Sequence, residues 1–198
     1  MRLRARPKLE LHGLTNVEII EADVASMPLP TAHFDLVVSN IGLNNFPDPR
    51  VALGECRRVA KSGARLVLTT NVQGHFRALY ALLDAILGES GLQAARDALH
   101  REEQHRLSAR AIANLLEDSG FKVSRTFEQN FRIRFADGST MLRHSLVKWF
   151  LDGWRQAVGA GDERDIFNAL EQRLNDAAAR DGCVEMTVPM LYIEGIAG

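Results

Sequence analysis

The fold is decided by a stretch that begins with Phe34-Asp35-Leu36-Val37-Val38-Ser39-Asn40 and ends with Arg65-Leu66-Val67-Leu68-Thr69-Thr70. Apolar residues are consecutive in both runs, which is typical of strands covered on both faces in a parallel sheet. Between the runs, Asp48 and Pro49 are suited to a helix N-cap and first turn, and Gly63 to a helix end. The order strand, helix, strand predicts a right-handed crossover and a doubly wound α/β sheet.

The pattern continues on both sides of this stretch. Upstream, Val17-Glu18-Ile19-Ile20-Glu21-Ala22-Asp23-Val24 predicts another strand, which the prolines of Met27-Pro28-Leu29-Pro30 end. Downstream, the spacing of apolar residues predicts helices over 76–87, 109–119, 139–158 and 162–179, a strand over 123–135, and a last strand or strand pair over 184–193. A chain of 198 residues with this organisation is expected to form a single domain.

Composition argues against several functional classes. The chain is 46% hydrophobic, and 24 Lys and Arg residues balance 25 Asp and Glu residues, so neither a disordered tail nor a nucleic-acid-binding basic face is expected. Cys56 and Cys183 lack CxxC spacing, which predicts a cytoplasmic protein without a disulfide framework or metal site. Arg77 and Asp84 interrupt the longest apolar stretch, 76–87, so no membrane span is expected.

Four segments in order resemble the class I S-adenosylmethionine-dependent methyltransferases, and above all the branch that methylates quinone rings and malonyl carrier protein. They are Asn16-Val17-Glu18-Ile19-Ile20-Glu21-Ala22-Asp23-Val24, Met27-Pro28-Leu29-Pro30, Phe34-Asp35-Leu36-Val37-Val38-Ser39-Asn40 and Glu55-Cys56-Arg57-Arg58-Val59-Ala60-Lys61-Ser62-Gly63. The later Ser119-Gly120-Phe121 is similar to the start of the family's closing β region. The resemblance implies a Rossmann-like fold with a helical cap, S-adenosylmethionine as cofactor, and methyl transfer to an oxygen or carbon of a small molecule.

The resemblance also implies where the cofactor binds. Asp23 would accept a hydrogen bond from the adenine amino group, worth about 1.5 to 3 kcal/mol, and the backbone of Val24 would contact a ring nitrogen. Four residues after the next strand would line the methionine end of the cofactor: Ser39, Asn40, Ile41 and Gly42. The residues alone leave open that Asp23 is an ordinary loop residue and that Ser39 and Asn40 serve only a turn.

One part of the family pattern has no counterpart here. The family's glycine-rich loop and ribose-binding acid belong to two strand-helix units of about 30 residues each, which lie in the sheet between the strands 17–24 and 34–40. The single Gly-x-Gly, Gly159-Ala160-Gly161, follows no strand and predicts a helix end before Asp162. We therefore expect an N-terminally truncated domain that binds the cofactor weakly or not at all.

The expected single partial domain has three segments. They are a remaining Rossmann core over 1–73, a helical cap over 74–118, and closing strands and helices over 119–198. The first predicted strand, 17–24, would lack its neighbours in such a sheet and would have to pair with its sequence neighbour instead.

The predicted cap supplies a candidate acceptor site. Apolar residues on more than one face of the helix over 76–87 predict a lid, with Tyr80 and Leu83 contacting the methyl acceptor. The alternative is that the helix over 109–119 buries this second face.

Several other side chains are weaker candidates. Trp149, Phe150 and Trp154 either wall an apolar pocket or fill the core, and His75 and His144 are conceivable general bases although lone histidines are usually structural. No catalytic residue is assigned, because methyl transfer from a sulfonium mainly requires alignment and desolvation.

Two functional alternatives remain open at this stage. One is a non-catalytic module of methyltransferase fold that depends on a partner chain, and the other is a nicotinamide-dependent Rossmann oxidoreductase, which would also need a fingerprint loop. The sequence leaves the methyl acceptor and the oligomeric state undetermined.

Overall fold

The computed structural model describes residues 2–159 and 161–198, and side chains from residue 7 onward except those of Trp149 and Ala157. The helices are α1 (Arg2–Leu11), α2 (Pro49–Val59), α3 (Arg77–Glu89), α4 (Gln93–Glu103), α5 (Ala109–Asp118), α6 (Gly138–Arg143), α7 (Ser145–Val158) and α8 (Glu163–Asp181). The strands are β1 (Phe34–Asn40), β2 (Ala60–Asn71), β3 (Phe121–Phe135) and β4 (Val184–Ala197). A 3₁₀ turn, Leu43–Asn45, follows β1.

The four strands form one sheet in the order β1-β2-β4-β3. β1 and β2 are parallel and α2 connects them, so the crossover predicted from the sequence is confirmed. β4 runs antiparallel to both β2 and β3, which makes the sheet mixed. The predicted α/β fold is thus confirmed, with an antiparallel closing half.

Local sequence explains how the crossover helix begins. The Asp48 carboxylate accepts hydrogen bonds from the backbone N–H groups of Arg50 (2.9 Å) and Val51 (3.3 Å), and Pro49 occupies the first helical position. The helix ends earlier than predicted, at Val59. Gly63, predicted as its cap, instead lies within β2, where its φ of 77° accompanies a shift in the pairing register with β1.

Two hydrophobic cores hold the helices to the sheet. α2 and α5 cover one face, where Leu53 and Ile112 pack with Leu66 and Leu68 of β2. The second core joins α3, α4, α6, α7 and α8 to the start of β4 around Trp154. The structure therefore divides the chain differently from the predicted segments, because α5 packs on the sheet and α6 to α8 join the helical layer.

The predicted strand over residues 17–24 does not form. These residues pair with no described strand, and Val17 and Ile20 are 47% and 44% exposed. A β-branched run becomes a strand only where a neighbour satisfies its backbone groups, and the edge beside it in the chain, β1, pairs only with β2. Pairing of residues 17–24 with β1, the next strand along the chain, was one expectation from the sequence, and it is not observed.

The helix predicted over 139–158 is interrupted at His144. This residue has an extended backbone (ψ 134°), and its Nδ1 accepts a hydrogen bond from the N–H of Leu146, so that it caps α7. His144 thus has a local structural use, as lone histidines often do. At the other end of α7, Gly159 has a φ of 87° and ends the helix as predicted, whereas Ala160 lies outside the described residues.

The outer strand β1 is unusually exposed for an apolar sequence. Leu36 and Val38 are 49% and 61% exposed, and they lie on the sheet face opposite α2 and α5. Among the described helices, none is long and apolar enough to span a membrane.

Replacing the cap of α2 tests this account of the crossover. We expect Asp48→Ala to lower the free energy of unfolding by about 1 kcal/mol, because two backbone N–H groups lose their acceptor. Urea unfolding followed by circular dichroism measures the change. Asp48→Ser keeps a side-chain oxygen and is expected to recover most of the loss, so an equal effect of both substitutions would contradict the capping role.

Candidate ligand site

A cavity of about 750 Å³ lies at the carboxyl ends of the two parallel strands. Asn44 and Asn45 reach it from the turn after β1, and Asn71 and His75 from the end of β2. Its apolar wall comes from the N-terminus of α3, from α7 and from the antiparallel strands: Phe76, Ile133, Leu146, Phe150, Val188 and Met190. This is the edge at which open α/β sheets bind ligands, as the sequence predicted.

Buried polar atoms without hydrogen-bond partners belong mainly to residues that line this cavity. In the described part of the chain, four buried side-chain atoms lack a hydrogen-bond partner: Asn71 Oδ1, His75 Nε2, Arg106 Nε and Trp154 Nε1. The first three belong to residues that line the cavity. Because buried polar groups are rarely left unpaired in native proteins, this concentration indicates a binding site.

His75 is held rigidly in the cavity wall. Its Nδ1 lies 2.9 Å from Asn71 Nδ2, and its ring stacks on Phe76 with 4.0 Å between centroids. Burial, together with the smaller effect of the positive charge of Arg106, lowers the pKa of His75 to about 3, so the imidazole is neutral at neutral pH. In the hydrogen-bonding arrangement in which Nδ1 accepts from the Asn71 amide, Nε2 carries the proton and is a donor. Such a low pKa disfavours the general-base role considered from the sequence.

Arg106 is the residue that the sequence analysis missed. It is only 7% exposed, its Cζ lies 5.3 Å from the centre of the Phe150 ring, and its Nη1 is 3.5 Å from the Tyr80 hydroxyl. No carboxylate oxygen of the described residues lies within 4.0 Å of its guanidinium nitrogens. No local pattern distinguishes it from the exposed Arg101 nearby, because its burial results from packing between α3 and α7.

The residues predicted to line the methionine end of the cofactor form a tight turn after β1. Ile41 lines the cavity and has a left-handed backbone (φ 56°), and its N–H donates to Thr69 O at 2.8 Å. A Cβ at Gly42 would lie 2.5 Å from Ser39 Oγ, so the turn is closely packed there. Asn40 Oδ1 accepts a hydrogen bond from the Thr69 hydroxyl. The structure therefore brings the predicted turn to the edge of the cavity.

The residues predicted to bind the adenine lie elsewhere. Asp23 is exposed, its carboxylate accepts from the N–H of Ala25 at 2.9 Å, and neither Asp23 nor Val24 lines the cavity. An exposed carboxylate in a turn suits a role as acceptor for an amino group.

A charged pair on α2 fixes the chain that follows Asp23 and Val24. Arg58 donates to the carbonyls of Met27 (2.9 Å) and Leu29 (2.7 Å), and Glu55 accepts from the N–H of Met27 at 3.0 Å. Glu55 and Arg58 also form an ion pair with a 2.7 Å contact. The hydrogen bond from Arg58, followed by that from Met27, lowers the pKa of Glu55 to about 2.

Tyr80 and Leu83, predicted to contact the acceptor, lie in the core and not in the cavity lining. Tyr80 is 3% exposed and packs edge-on against Trp154 with 4.7 Å between ring centroids, and Leu83 is fully buried. Their helix α3 packs mainly against α4, α8 and β4, and α5, the alternative partner weighed from the sequence, belongs to the other core. Of the aromatic candidates on α7, Phe150 lines the cavity and Trp154 fills the core, while the side chain of Trp149 lies outside the described part.

Metal chemistry finds no support in the side chains that the structure describes. Within that part of the chain, no three His, Cys, Asp or Glu residues are grouped so that they could hold a metal ion. Cys56 and Cys183 are both free, and burial raises the pKa of the Cys56 thiol to about 11.

Comparison with known proteins gives the class of the fold. The YcgJ protein of Bacillus subtilis superimposes with a TM-score of 0.59 at 19% identity, over 98% of this chain and 76% of that one. Residues 1–68 match the family described as a methyltransferase domain. The predicted resemblance is therefore confirmed: residues 1–68 are similar to a methyltransferase domain, and the chain has the Rossmann-like fold of the class I S-adenosylmethionine-dependent methyltransferases.

Within that class, similarity extends to enzymes of quinone biosynthesis. The demethylmenaquinone methyltransferase of Thermus thermophilus is 45% identical over 64 residues, which are 32% of this chain and 29% of that protein. The ubiquinone/menaquinone biosynthesis C-methyltransferase UbiE of Shewanella halifaxensis is 31% identical over 127 residues, 59% of this chain and 51% of that protein. This chain thus spans between 29% and 51% of the length of these two curated relatives.

The Glu55 carboxylate makes a testable contribution to stability. Because its pKa is lower in the folded protein than the ordinary 4.5, the unfolded chain binds more protons between about pH 4.5 and pH 2. The stabilisation is therefore complete above pH 4.5 and is lost as the pH falls towards 2. We expect Glu55→Gln to be less stable than the wild type at pH 6, with the difference shrinking below pH 4.5. Urea unfolding over this pH range measures it, and parallel stability curves would contradict the ion pair.

Proposed function

We propose that this protein transfers a methyl group from S-adenosylmethionine to an oxygen or carbon atom of a small molecule that binds in the cavity. The observation that carries this proposal is the position of the cavity at the carboxyl ends of β1 and β2, where Ile41 belongs both to the cavity lining and to the turn predicted for the cofactor. The match of residues 1–68 to a methyltransferase family supports it.

The cofactor-binding residues follow the assignment made from the sequence. Asp23 accepts from the adenine amino group, the backbone of Val24 contacts the ring, and the turn of Ser39, Asn40, Ile41 and Gly42 holds the methionine end. When bound, S-adenosylmethionine supplies a methyl group activated by its sulfonium charge. The clamp of Glu55 and Arg58 keeps the loop after Val24 close to α2, so that the adenine side of the site is preformed.

The chain's own contribution to catalysis is alignment and exclusion of water. Phe76, Phe150 and Met190 line the cavity, and apolar surfaces of this kind keep water from the reacting atoms. A nucleophilic acceptor held in line with the methyl group needs no covalent help from the protein. We assign no catalytic acid or base. The two free cysteines are consistent with a site of action in the cytoplasm.

Binding of the cofactor tests the proposal directly. In titrations of the purified chain with S-adenosylmethionine, followed by ¹H–¹⁵N chemical shifts, we expect weak saturable binding that Asp23→Asn weakens at least about tenfold, because the adenine amino group loses a charged acceptor. Glu18→Gln is the control, since it removes an exposed charge from the same segment.

The outcome also separates this function from a non-catalytic, partner-dependent module. An absence of saturable shifts at millimolar cofactor would favour the module. Equal affinities for the wild type and Asp23→Asn would overturn the assignment of the adenine site while leaving the function intact.

A further inference from the structure

We propose that the cavity binds its methyl acceptor through a carboxylate group, held by Arg106 and His75, with the apolar part of the acceptor against the aromatic wall. The acceptor is thus inferred to be a hydrophobic carboxylic acid. This inference rests on the proposed function, because it assigns the cavity to the acceptor, but binding of the acid is measurable without the cofactor.

The first argument is charge. Arg106 carries a permanent positive charge at 7% exposure, and in the described structure no carboxylate contacts it. Of the other titratable residues of the lining, His75 is neutral, and Glu102 and His105 are exposed to solvent, so that the negative charge of Glu102 offsets the charge of Arg106 only in part. A buried guanidinium is stabilised when an anion pairs with it, so the interior of the cavity selects for negative charge.

The second argument is the geometry of the donors. Arg106 and His75 line the cavity from different parts of the chain, one before α5 and the other after β2, and each has a buried donor nitrogen, Arg106 Nε and His75 Nε2, without a partner. A carboxylate has two oxygens that can accept from two separate donors, whereas a phenolate offers a single oxygen. The third unpartnered atom, Asn71 Oδ1, adds an acceptor for a hydroxyl or amino group of the same ligand.

The third argument is the apolar character of the other residues that line the cavity. Phe76 and Phe150 present ring surfaces 5.3 Å apart between centroids, and Ile133, Val188 and Met190 extend the apolar wall along the sheet. Such a wall binds an aromatic ring or an aliphatic chain and not a strongly hydrated body. The cavity volume of about 750 Å³ accommodates a ligand much larger than a simple short-chain acid.

Two other partners for Arg106 make distinct predictions. Glu102, near the end of α4, also lines the cavity and could pair with Arg106 by rotation of its side chain. The methionine carboxylate of the cofactor is a second source of the same anionic chemistry. The experiment separates both from an acceptor carboxylate.

Binding of a matched pair of probes tests the inference. Naphthalene-2-carboxylate and naphthalene-2-carboxamide have the same ring system and differ in charge. In cofactor-free titrations followed by ¹H–¹⁵N chemical shifts, we expect the acid to bind at least about tenfold more tightly than the amide, because only the acid pairs with the buried guanidinium. Arg106→Met is expected to reduce the affinity for the acid to that for the amide, while the exposed control Arg101→Met leaves both unchanged.

Further variants guard against effects on folding. Arg106→Lys keeps the charge and is expected to retain part of the preference, and Glu102→Gln is expected to tighten binding of the acid because it removes negative charge from the rim. Circular dichroism verifies the fold of each variant. If Arg106→Met does not fold, the ratio of acid to amide affinity, measured in the wild type and in Glu102→Gln, still tests whether the cavity recognises an anion.

Three results would overturn the inference. Equal affinities for acid and amide in the wild type would exclude anion recognition. A loss of stability in Glu102→Gln without a gain in acid binding would identify Glu102 as the partner. Competition between S-adenosylmethionine and the acid, together with weaker cofactor binding by Arg106→Met, would assign Arg106 to the cofactor. Failure of the proposed function appears separately, in the Asp23 titration.

Discussion

The site depends on the parallel pairing of β1 with β2. In this register Ser39 lies beside Leu68 and Asn40 beside Thr69, so the two chain segments that leave the strands emerge at one edge of the sheet. An antiparallel pair would have placed them at opposite ends. The crossover that permits parallel pairing depends on α2, whose start is fixed by Asp48 and whose apolar face is buried on the sheet.

Most of helix α3 lies in the core and does not cover the cavity. It affects the cavity through the side chains that it packs against the lining residues. Tyr80 packs on Trp154, and its hydroxyl contacts the guanidinium of Arg106. Burial raises the pKa of Tyr80, so the phenol remains neutral and adds no compensating charge beside the arginine. The apolar residues on several faces of α3 are therefore explained by the elements that surround this helix. Tyr80 of α3 can affect a bound ligand only through its contact with Arg106.

Local signals predicted most of the fold, and long-range packing explains the rest. The consecutive apolar residues of β1 and the helix cap Asp48 have local causes and were predicted from the sequence. Residues 17–24 have strand propensity but form no ladder with any strand that the structure describes, and propensity alone does not create one. The site was predicted only in part for the same reason: the turn after β1 follows from strand order, whereas the burial of Arg106 depends on helices that are distant in sequence.

The exposed edge strand β1 has a consequence for the behaviour of the protein in solution. The outer side of β1 pairs with no described strand, and Leu36 and Val38 add exposed apolar surface beside it. Backbone groups on such an edge pair readily with an extended segment of another molecule, and a net charge of -1 provides little repulsion between copies. We therefore expect association in concentrated samples to begin at the seven residues of β1, whatever the average composition of the surface.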